Sequence, residues 1–248
     1  MWTGCLYTSG TQLRSGHEVM TAEQEQRYQF GEPDEWARAQ GHYLVAGVDE
    51  VGRGAMAGPL VAAAVILEAE VELETVDDSK LLSPQQRERA YEEIRERAIA
   101  WTIGLVEADM VDRLNVWGAT CLAIRRALEG LHVQPDFALV DGLAPRGIRH
   151  AHQAFVGGDA CSPLMGAASI LAKVTRDRAM ERLDLTHRGY GFADNKGYAT
   201  PLHKQAVRRL GPSPIHRRRY WFVTDLRGDH LPFDPEDLQR ISQYGGER

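Results

Sequence analysis

Cysteine is scarce in this chain of 248 residues: Cys5, Cys121 and Cys161 are odd in number and show no paired spacing. That spacing does not suit a cysteine-ligated zinc module, and it makes a reducing, cytoplasmic setting the expected one. No apolar run approaches the roughly 20 residues of a membrane span. The opening stretch MWTGCLYTSGTQLRSG has neither the apolar core nor the cleavage pattern of a secretory leader, so none is expected. Internal repeats and low-complexity tracts are missing. Positive charge is not in excess either: the formal net charge is −6. Whole-surface attraction to a polyanion is therefore excluded, though a local basic patch is not. What remains, 43% hydrophobic and 26% charged residues, suits a globular chain with one substantial core.

The most informative stretch runs from His42 to Leu67. An apolar run over Tyr43–Val48 delivers two adjacent carboxylates, Asp49 and Glu50. Gly52, Gly54 and Gly58 surround Arg53, and a second apolar run climbs from Leu60 to Leu67. Both runs are short, β-branched and glycine-bounded, which predicts a strand, a turn and an antiparallel partner strand. The glycines resemble a dinucleotide fingerprint, but that fingerprint needs a helix directly after them, and here Pro59 and a strand follow. Asp49 and Glu50 are either the first polar residues of a loop or carboxylates gathered for a metal ion.

Further along, Ser83, Pro84 and Gln86 form a capping box that starts a helix expected to continue to Arg97. Ala98–Val106 reads as a third strand. Ala108–Glu129 is expected to be one helix, because Met110, Leu114, Trp117, Cys121, Ile124 and Leu128 recur at alternating spacings of four and three. Phe137–Val140 is a short strand ending in Asp141-Gly142, and His150–Val156 leads to Gly157-Gly158-Asp159. Pro163–Leu185 and Pro201–Leu210 read as helices. Strands mingled with helices predict a mixed α/β sheet, with its strand-end acids at one edge. Before Gly41 no strand pattern is visible, and a helix over Thr21–Phe30 with a loop at Gly31–Pro33 is expected. Between Lys196 and Thr224 there are seven basic residues (Lys196, Lys204, Arg208, Arg209, Arg217, Arg218, Arg219) and no acid. They form either a solvated face or a phosphate-contacting surface.

Several blocks, in order, resemble the ribonuclease HII family: AGVDEVGRG with AGPLVAAAVIL, then DSKLLS, the VDG ending at Gly142, GGDA with AASILAKVTRDRAM, and NKGYAT with His203. The set spans about Val45 to His203. The resemblance implies an RNase H-like α/β fold, a mixed five-stranded sheet flanked by helices with a helical C-terminal part. It implies a catalytic domain over 42–224, after an N-terminal extension (1–41) and before a C-terminal tail (225–248). Catalytic acids would be Asp49, Glu50, Asp141 and Asp159, with Asp49, Glu50 and Asp141 as ligands for Mn²⁺ or Mg²⁺. Gly52-Arg53-Gly54 would recognise the ribose 2′-hydroxyl, Tyr198 would stack on the adjoining sugar, and Lys80, Ser169 and Lys173 would touch phosphates. Implied partners are RNA–DNA hybrids and ribonucleotide-containing duplex DNA, acted on by a monomer, with a sliding clamp contacting the tail. Ala55-Met56 and Pro163-Leu164-Met165-Gly166 depart from the family pattern beside the acids without replacing any.

The chemistry suits these residues. A phosphodiester is anionic and repels a water nucleophile, a problem solved by two hard cations roughly 3.5–4 Å apart on oxygen ligands. Acids without histidine or cysteine partners fit Mg²⁺ or Mn²⁺ better than zinc. Successive strand residues point to opposite faces, so Asp49 and Glu50 share a site only if the strand breaks its regularity. Rival readings are a non-cleaving hybrid-binding module, a dehydrogenase, and a ribonuclease HIII-like enzyme, for whose basic N-terminal domain some forty residues with more acids than bases are a poor substitute.

Overall fold

The computed structural model describes residues 5–8, 27–29, 31–68, 82–220 and 222–223. The sheet centres on β3 (Val45–Val51), which pairs antiparallel with β4 (Leu60–Ile66) across the glycine turn. β4 in turn pairs antiparallel with β5 (Ala100–Val106). On its other side β3 runs parallel to β6 (Phe137–Asp141), and β6 parallel to β7 (His152–Val156). This is the expected mixed five-stranded sheet. Two short strands of the N-terminal segment, β1 (Cys5–Thr8) and β2 (Arg27–Tyr28), extend it beyond β7, giving the order β2-β1-β7-β6-β3-β4-β5 among the described residues.

β4 explains why the sheet is covered on both faces. Its residues are all buried, and they alternate between two cores. Val61, Ala63 and Val65 join the cluster made with α2 (Pro84–Arg97) and α4 (Pro163–Thr186). Leu60, Ala62, Ala64 and Ile66 join the cluster made with α3 (Ala108–Glu129). Burial on both faces is why this strand reads as a continuous apolar run rather than an alternating one. The two helices of the first cluster start on side-chain caps: Ser83 and Gln86 close a complete capping box on α2, and the Ser162 hydroxyl accepts from the Met165 N–H on α4.

Two expectations are corrected. Residues 21–26 lie outside those described, but Arg27–Tyr28 is a strand and Gly31–Pro33 is not a loop. The helix there is α1 (Glu32–Ala39), begun by Pro33 in its first turn with Glu32, Asp34 and Glu35 at the positive end of its dipole. Its Asp34 reaches across to accept a hydrogen bond from the Leu164 N–H at 3.2 Å, so the extension is fastened to the N-terminus of α4. Second, α3 is interrupted. Asn115 sits at φ 58°, ψ 172°, and its Oδ1 accepts from the Gly118 N–H at 3.0 Å, acting as an N-cap for the second half. The kink turns Leu114 and Val116 outward. The buried face becomes Val111, Ala119, Ala123, Ile124, Ala127 and Leu128 rather than the single stripe.

Gly47 is where β3 presses on α4: a Cβ there would lie inside van der Waals range of the Leu164 backbone. Gly47→Ala should lower stability by about 3 kcal/mol through overpacking, read as a shift in the urea midpoint with an unchanged slope. An unaltered midpoint would show that the strand–helix contact is looser than described.

Candidate active site

Parallel pairing fixes where the acids go. β3, β6 and β7 run side by side in one direction, and Val48 stands opposite Val140 while Asp141 stands opposite Phe155. Their C-terminal ends therefore share one sheet edge, the edge at which α/β folds assemble sites. Asp49 lies two residues before the end of β3, and Asp141 closes β6. Asp159 lies on the 3-10 turn Gly158–Ala160 just past β7. The Asp49, Asp141 and Asp159 carboxylates present oxygens within 4.8 Å of one another. The Gly158 N–H donates to Asp141 Oδ1 at 2.6 Å, which locks the turn carrying Asp159 to the end of β6. Asp49 Oδ1 accepts from the Glu50 N–H at 2.7 Å.

Glu50 goes elsewhere. The β3–β4 ladder is regular through Val51, so Asp49 shares a face with Val45 and Val51, and Glu50 takes the other parity. Its Oε1 accepts from Arg53 Nη1 at 3.1 Å. The structure thus gathers Asp49, Asp141 and Asp159, and leaves the Glu50 carboxylate paired with the arginine of the glycine turn. Burial pushes the Asp49 carboxyl well above the usual carboxylate range, and the charges of Asp141 and Glu50 push it further; Ser169 opposes them by hydrogen bonding. Glu50 is raised as well, chiefly by burial, against the pull of Arg53. Beside the acids a cavity of about 170 Å³ is lined by Glu50, Val51, Arg87, Asp159, Ser169, Ile170 and Lys173. Lys173 Nζ donates to Asp177 at 2.7 Å. Lys80 lies outside the described residues.

The turn after β3 is anchored by residues that its own sequence does not announce. Arg176, on α4 and fully buried, donates from Nε to the Pro59 carbonyl at 2.9 Å and from Nη2 to the Ala57 carbonyl at 3.3 Å. Its guanidinium also stands 5.2 Å from the Tyr198 ring centroid. Arg217 donates to the Arg53 and Gly58 carbonyls at 3.0–3.2 Å. Arg217 is only 2% exposed, so the basic run is not one phosphate-facing surface: this arginine within it is an internal strut. The backbone N–H groups of Arg218 and Arg219 donate to the Asp112 carboxylate. Arg176 does leave a trace in the sequence, since it falls on the apolar helical stripe between Ala172 and Met180, where a charge needs internal partners. Tyr198 follows α5 (Phe192–Asn195), and the preceding Gly197 carbonyl accepts from the Met56 and Ala57 N–H groups, so the tyrosine loop and the glycine turn abut. His203 is fully buried.

The two turn glycines differ. Gly52 has φ 92°, and a side chain on it would collide with Arg176. At Gly54 a Cβ would meet nothing within 4 Å, so packing within the chain does not demand glycine there. A second concavity of about 320 Å³ lies beside this turn, lined by Arg53, Val111, Asp112, Asn115, Val116, Arg217, Arg219 and Tyr220.

A profile of the ribonuclease HII family matches residues 46–223, most of the chain. The chain belongs to that family. Ribonuclease H activity is the coarse function that membership carries. Among solved structures, ribonuclease H2 from Pyrococcus horikoshii OT3 is 28% identical, with 75% of this chain and 97% of that chain covered at a TM-score of 0.65. The RNase HII of the PCNA:RNase HII complex from Archaeoglobus fulgidus is 30% identical, with 71% and 95% covered and a TM-score of 0.60. Bst-RNase HIII in complex with Mn²⁺ is 19% identical, with 84% and 76% covered and a TM-score of 0.64, a likeness of fold alone. Among the described residues no helix is long and apolar enough to cross a membrane.

Three carboxylates this close oppose one another, on the order of 3–4 kcal/mol for each ionised pair at an effective dielectric near 20. Asp49→Asn should therefore raise the melting temperature of the metal-free ribonuclease HII chain by a few degrees, as function-for-stability exchanges do. Millimolar Mg²⁺ should raise the melting temperature of the original chain more than that of the variant. A variant that melts lower, or that gains as much from Mg²⁺, would remove Asp49 from the cation site.

Proposed function

We propose that this chain is a divalent-cation-dependent endoribonuclease. It hydrolyses the RNA strand of RNA–DNA hybrids and cuts 5′ of ribonucleotides embedded in duplex DNA, leaving a 3′-hydroxyl and a 5′-phosphate. The observation that carries the proposal is the meeting of Asp49, Asp141 and Asp159 at one sheet edge, oxygens within 4.8 Å, next to a turn whose glycine at 54 faces open space. Oxygen-only donors, crowded and partly buried, suit Mg²⁺ or Mn²⁺ and suit zinc poorly. Bound there, one or two such ions would neutralise charge at the scissile phosphate and acidify a water molecule, in the manner of two-metal hydrolysis.

The residues divide the rest of the work. Asp49, Asp141 and Asp159 would hold the cation. Glu50 would join them as the fourth acid once a substrate phosphate takes Arg53, because one guanidinium cannot serve both partners in full. Gly54 leaves the backbone of the turn open to a ribose 2′-hydroxyl, the group by which RNA is told from DNA. Tyr198 presents its ring to the sugar on the neighbouring side, steadied by Arg176. Ser169 and Lys173 line the cavity beside the acids, within reach of the phosphate backbone that enters it. A non-cleaving hybrid-binding module is disfavoured by the same cluster, since uncompensated carboxylates repel a phosphate. A sliding-clamp contact through the tail rests on the Archaeoglobus complex alone, and residues 225–248 lie outside those described.

The decisive assay is a labelled DNA duplex containing one ribonucleotide, incubated with Mg²⁺, Mn²⁺ or chelator. Cleavage on the 5′ side of the ribonucleotide, only with a divalent ion, is expected; intact duplex under every condition overturns the assignment. The two turn glycines provide a second test. Gly54→Ala should leave the melting temperature unchanged while lowering kcat/KM on the single-ribonucleotide duplex, roughly tenfold for a blocked hydrogen bond in a polar site. Gly52→Ala should instead unfold readily, because its backbone is left-handed and Arg176 fills the space. Equal stability losses at both positions would mean that the turn is glycine-rich for packing alone.

A further inference from the structure

Behind Tyr198 two histidines meet in the interior. His203, on α6 (Pro201–Leu210), is fully buried, and His216 is 2% exposed. Their Nε2 atoms are 3.1 Å apart. His203 Nδ1 lies 2.8 Å from the Tyr198 carbonyl oxygen. His216 Nδ1 lies 2.9 Å from the Ser213 backbone nitrogen and 2.8 Å from its hydroxyl. The two ends set the polarity of this row. A carbonyl only accepts, so His203 Nδ1 carries a proton; a backbone N–H only donates, so His216 Nδ1 is bare. A neutral imidazole has one ring proton. His216 Nε2–H must then donate to a bare His203 Nε2. One proton order satisfies every contact: Ser213 N–H to His216, His216 to His203, His203 to the Tyr198 carbonyl. A third ring proton would place two donors face to face.

The surroundings hold both rings neutral. Burial is the main cause that pushes His203 below its usual range and His216 down to about 4, with His203 adding to the effect on His216. Phe192 packs against both rings, at 5.2 and 5.6 Å between centroids. Tyr190 stands 5.1 Å from His216, with its hydroxyl donating to the Gly211 carbonyl, and His187 is a further titratable group acting on His216. The pair also reaches the glycine turn. His216 and Ala57 form a β-bridge, the Gly58 N–H donates to the Ile215 carbonyl, and the Met56 and Ala57 N–H groups donate to Gly197.

We propose that His203 and His216 are positioning residues of this ribonuclease HII: a proton-ordered imidazole pair that fixes the Tyr198 backbone and, through the bridge to Ala57, sets the tyrosine against the Gly52–Gly54 turn. The positioning role rests on the nuclease assignment above; the proton order does not.

Two measurements test the two halves separately. Nitrogen-15 NMR of the full chain at pH 7 should find the Nδ1–H tautomer at His203 and the Nε2–H tautomer at His216. The reverse pattern, or an imidazolium at either position, overturns the relay whatever the chain cleaves. His203→Ala should lower kcat/KM on the single-ribonucleotide duplex roughly tenfold, yet add little to the loss already caused by Tyr198→Ala, because the two act as a unit. His203→Asn, which keeps a donor for the Tyr198 carbonyl, should recover part of the loss. Losses that multiply independently, or no recovery, reduce the histidines to core filling and sink the positioning role. If the chain cleaves nothing, the nuclease assignment and the positioning role fall together, while the tautomer result still judges the proton order. Stability should follow the same sign. The unfolded histidine titrates near 6.5, so the contribution of neutral His216 is complete above that pH and is lost as pH falls toward about 4.

Discussion

Like charges do not gather at the end of three strands unless the backbone forces them to. Parallel pairing of β3 with β6 and of β6 with β7 places three C-terminal ends at one edge, and each end or its following turn carries an aspartate. Side-chain preference opposes this arrangement: burial and mutual repulsion both favour the protonated carboxyl at Asp49. What maintains it is the main chain, through the ladder registers and the Gly158 N–H held by Asp141. The site is therefore prepared electrostatically before any ligand arrives. A cation entering it, as proposed, would find carboxylates that need no gathering and would remove a repulsion that the fold otherwise carries.

The second constraint is the turn between β3 and β4. A hairpin loop of this length would ordinarily be the mobile part of a sheet. Here its carbonyls are held from the inside by two buried guanidinium groups, Arg176 from α4 and Arg217 from the segment after α6. Burying an arginine is costly unless its donors are used, and these two direct most of theirs at the main chain of the turn, Arg176 Nη1 alone of its nitrogens making no hydrogen bond. The consequence is a rigid loop with one exposed arginine, Arg53, and one glycine, Gly54, facing outward. Loop rigidity of that kind suits discrimination by a single hydroxyl, where a displacement of one ångström would erase the difference between ribose and deoxyribose.

Much of this arrangement was legible in the sequence, for physical reasons that differ by region. The five-stranded sheet could be read because β4, buried on both faces, has to be apolar at every position, and because each of Asp49, Asp141 and Asp159 ends or follows a short apolar run. The capping box at Ser83 and Gln86 could be read because it is a local interaction. The kink at Asn115 was hidden: the spacing of Met110, Leu114, Trp117 and Cys121 runs straight through it, and the Asn115–Gly118 cap is visible only in three dimensions. The split between Asp49 and Glu50 was foreshadowed by strand parity, but the partner chosen by Glu50, Arg53, follows from the turn geometry and not from composition. The inward orientation of Arg217, within a run that looks like a surface patch, depends on carbonyls some 160 positions earlier in the chain, a separation no local pattern reports.

These elements are joined by backbone contacts rather than by side-chain packing alone. The Gly197 carbonyl accepts from Met56 and Ala57, His216 bridges to Ala57, and Arg217 spans from Gly58 to Arg53, so the last third of the chain closes over the first hairpin. The acids come from the sheet, whereas Tyr198 and the struts come from α4 and the loops after it. A displacement of the C-terminal helices would leave the carboxylate cluster nearly intact and would spoil the turn. In the proposed function, cation binding and substrate discrimination would thus be built on separable parts of the fold. The fully buried Arg176, in contact with the turn and with the Tyr198 ring, is the residue through which the parts proposed to sense the substrate meet the helix that also carries Ser169.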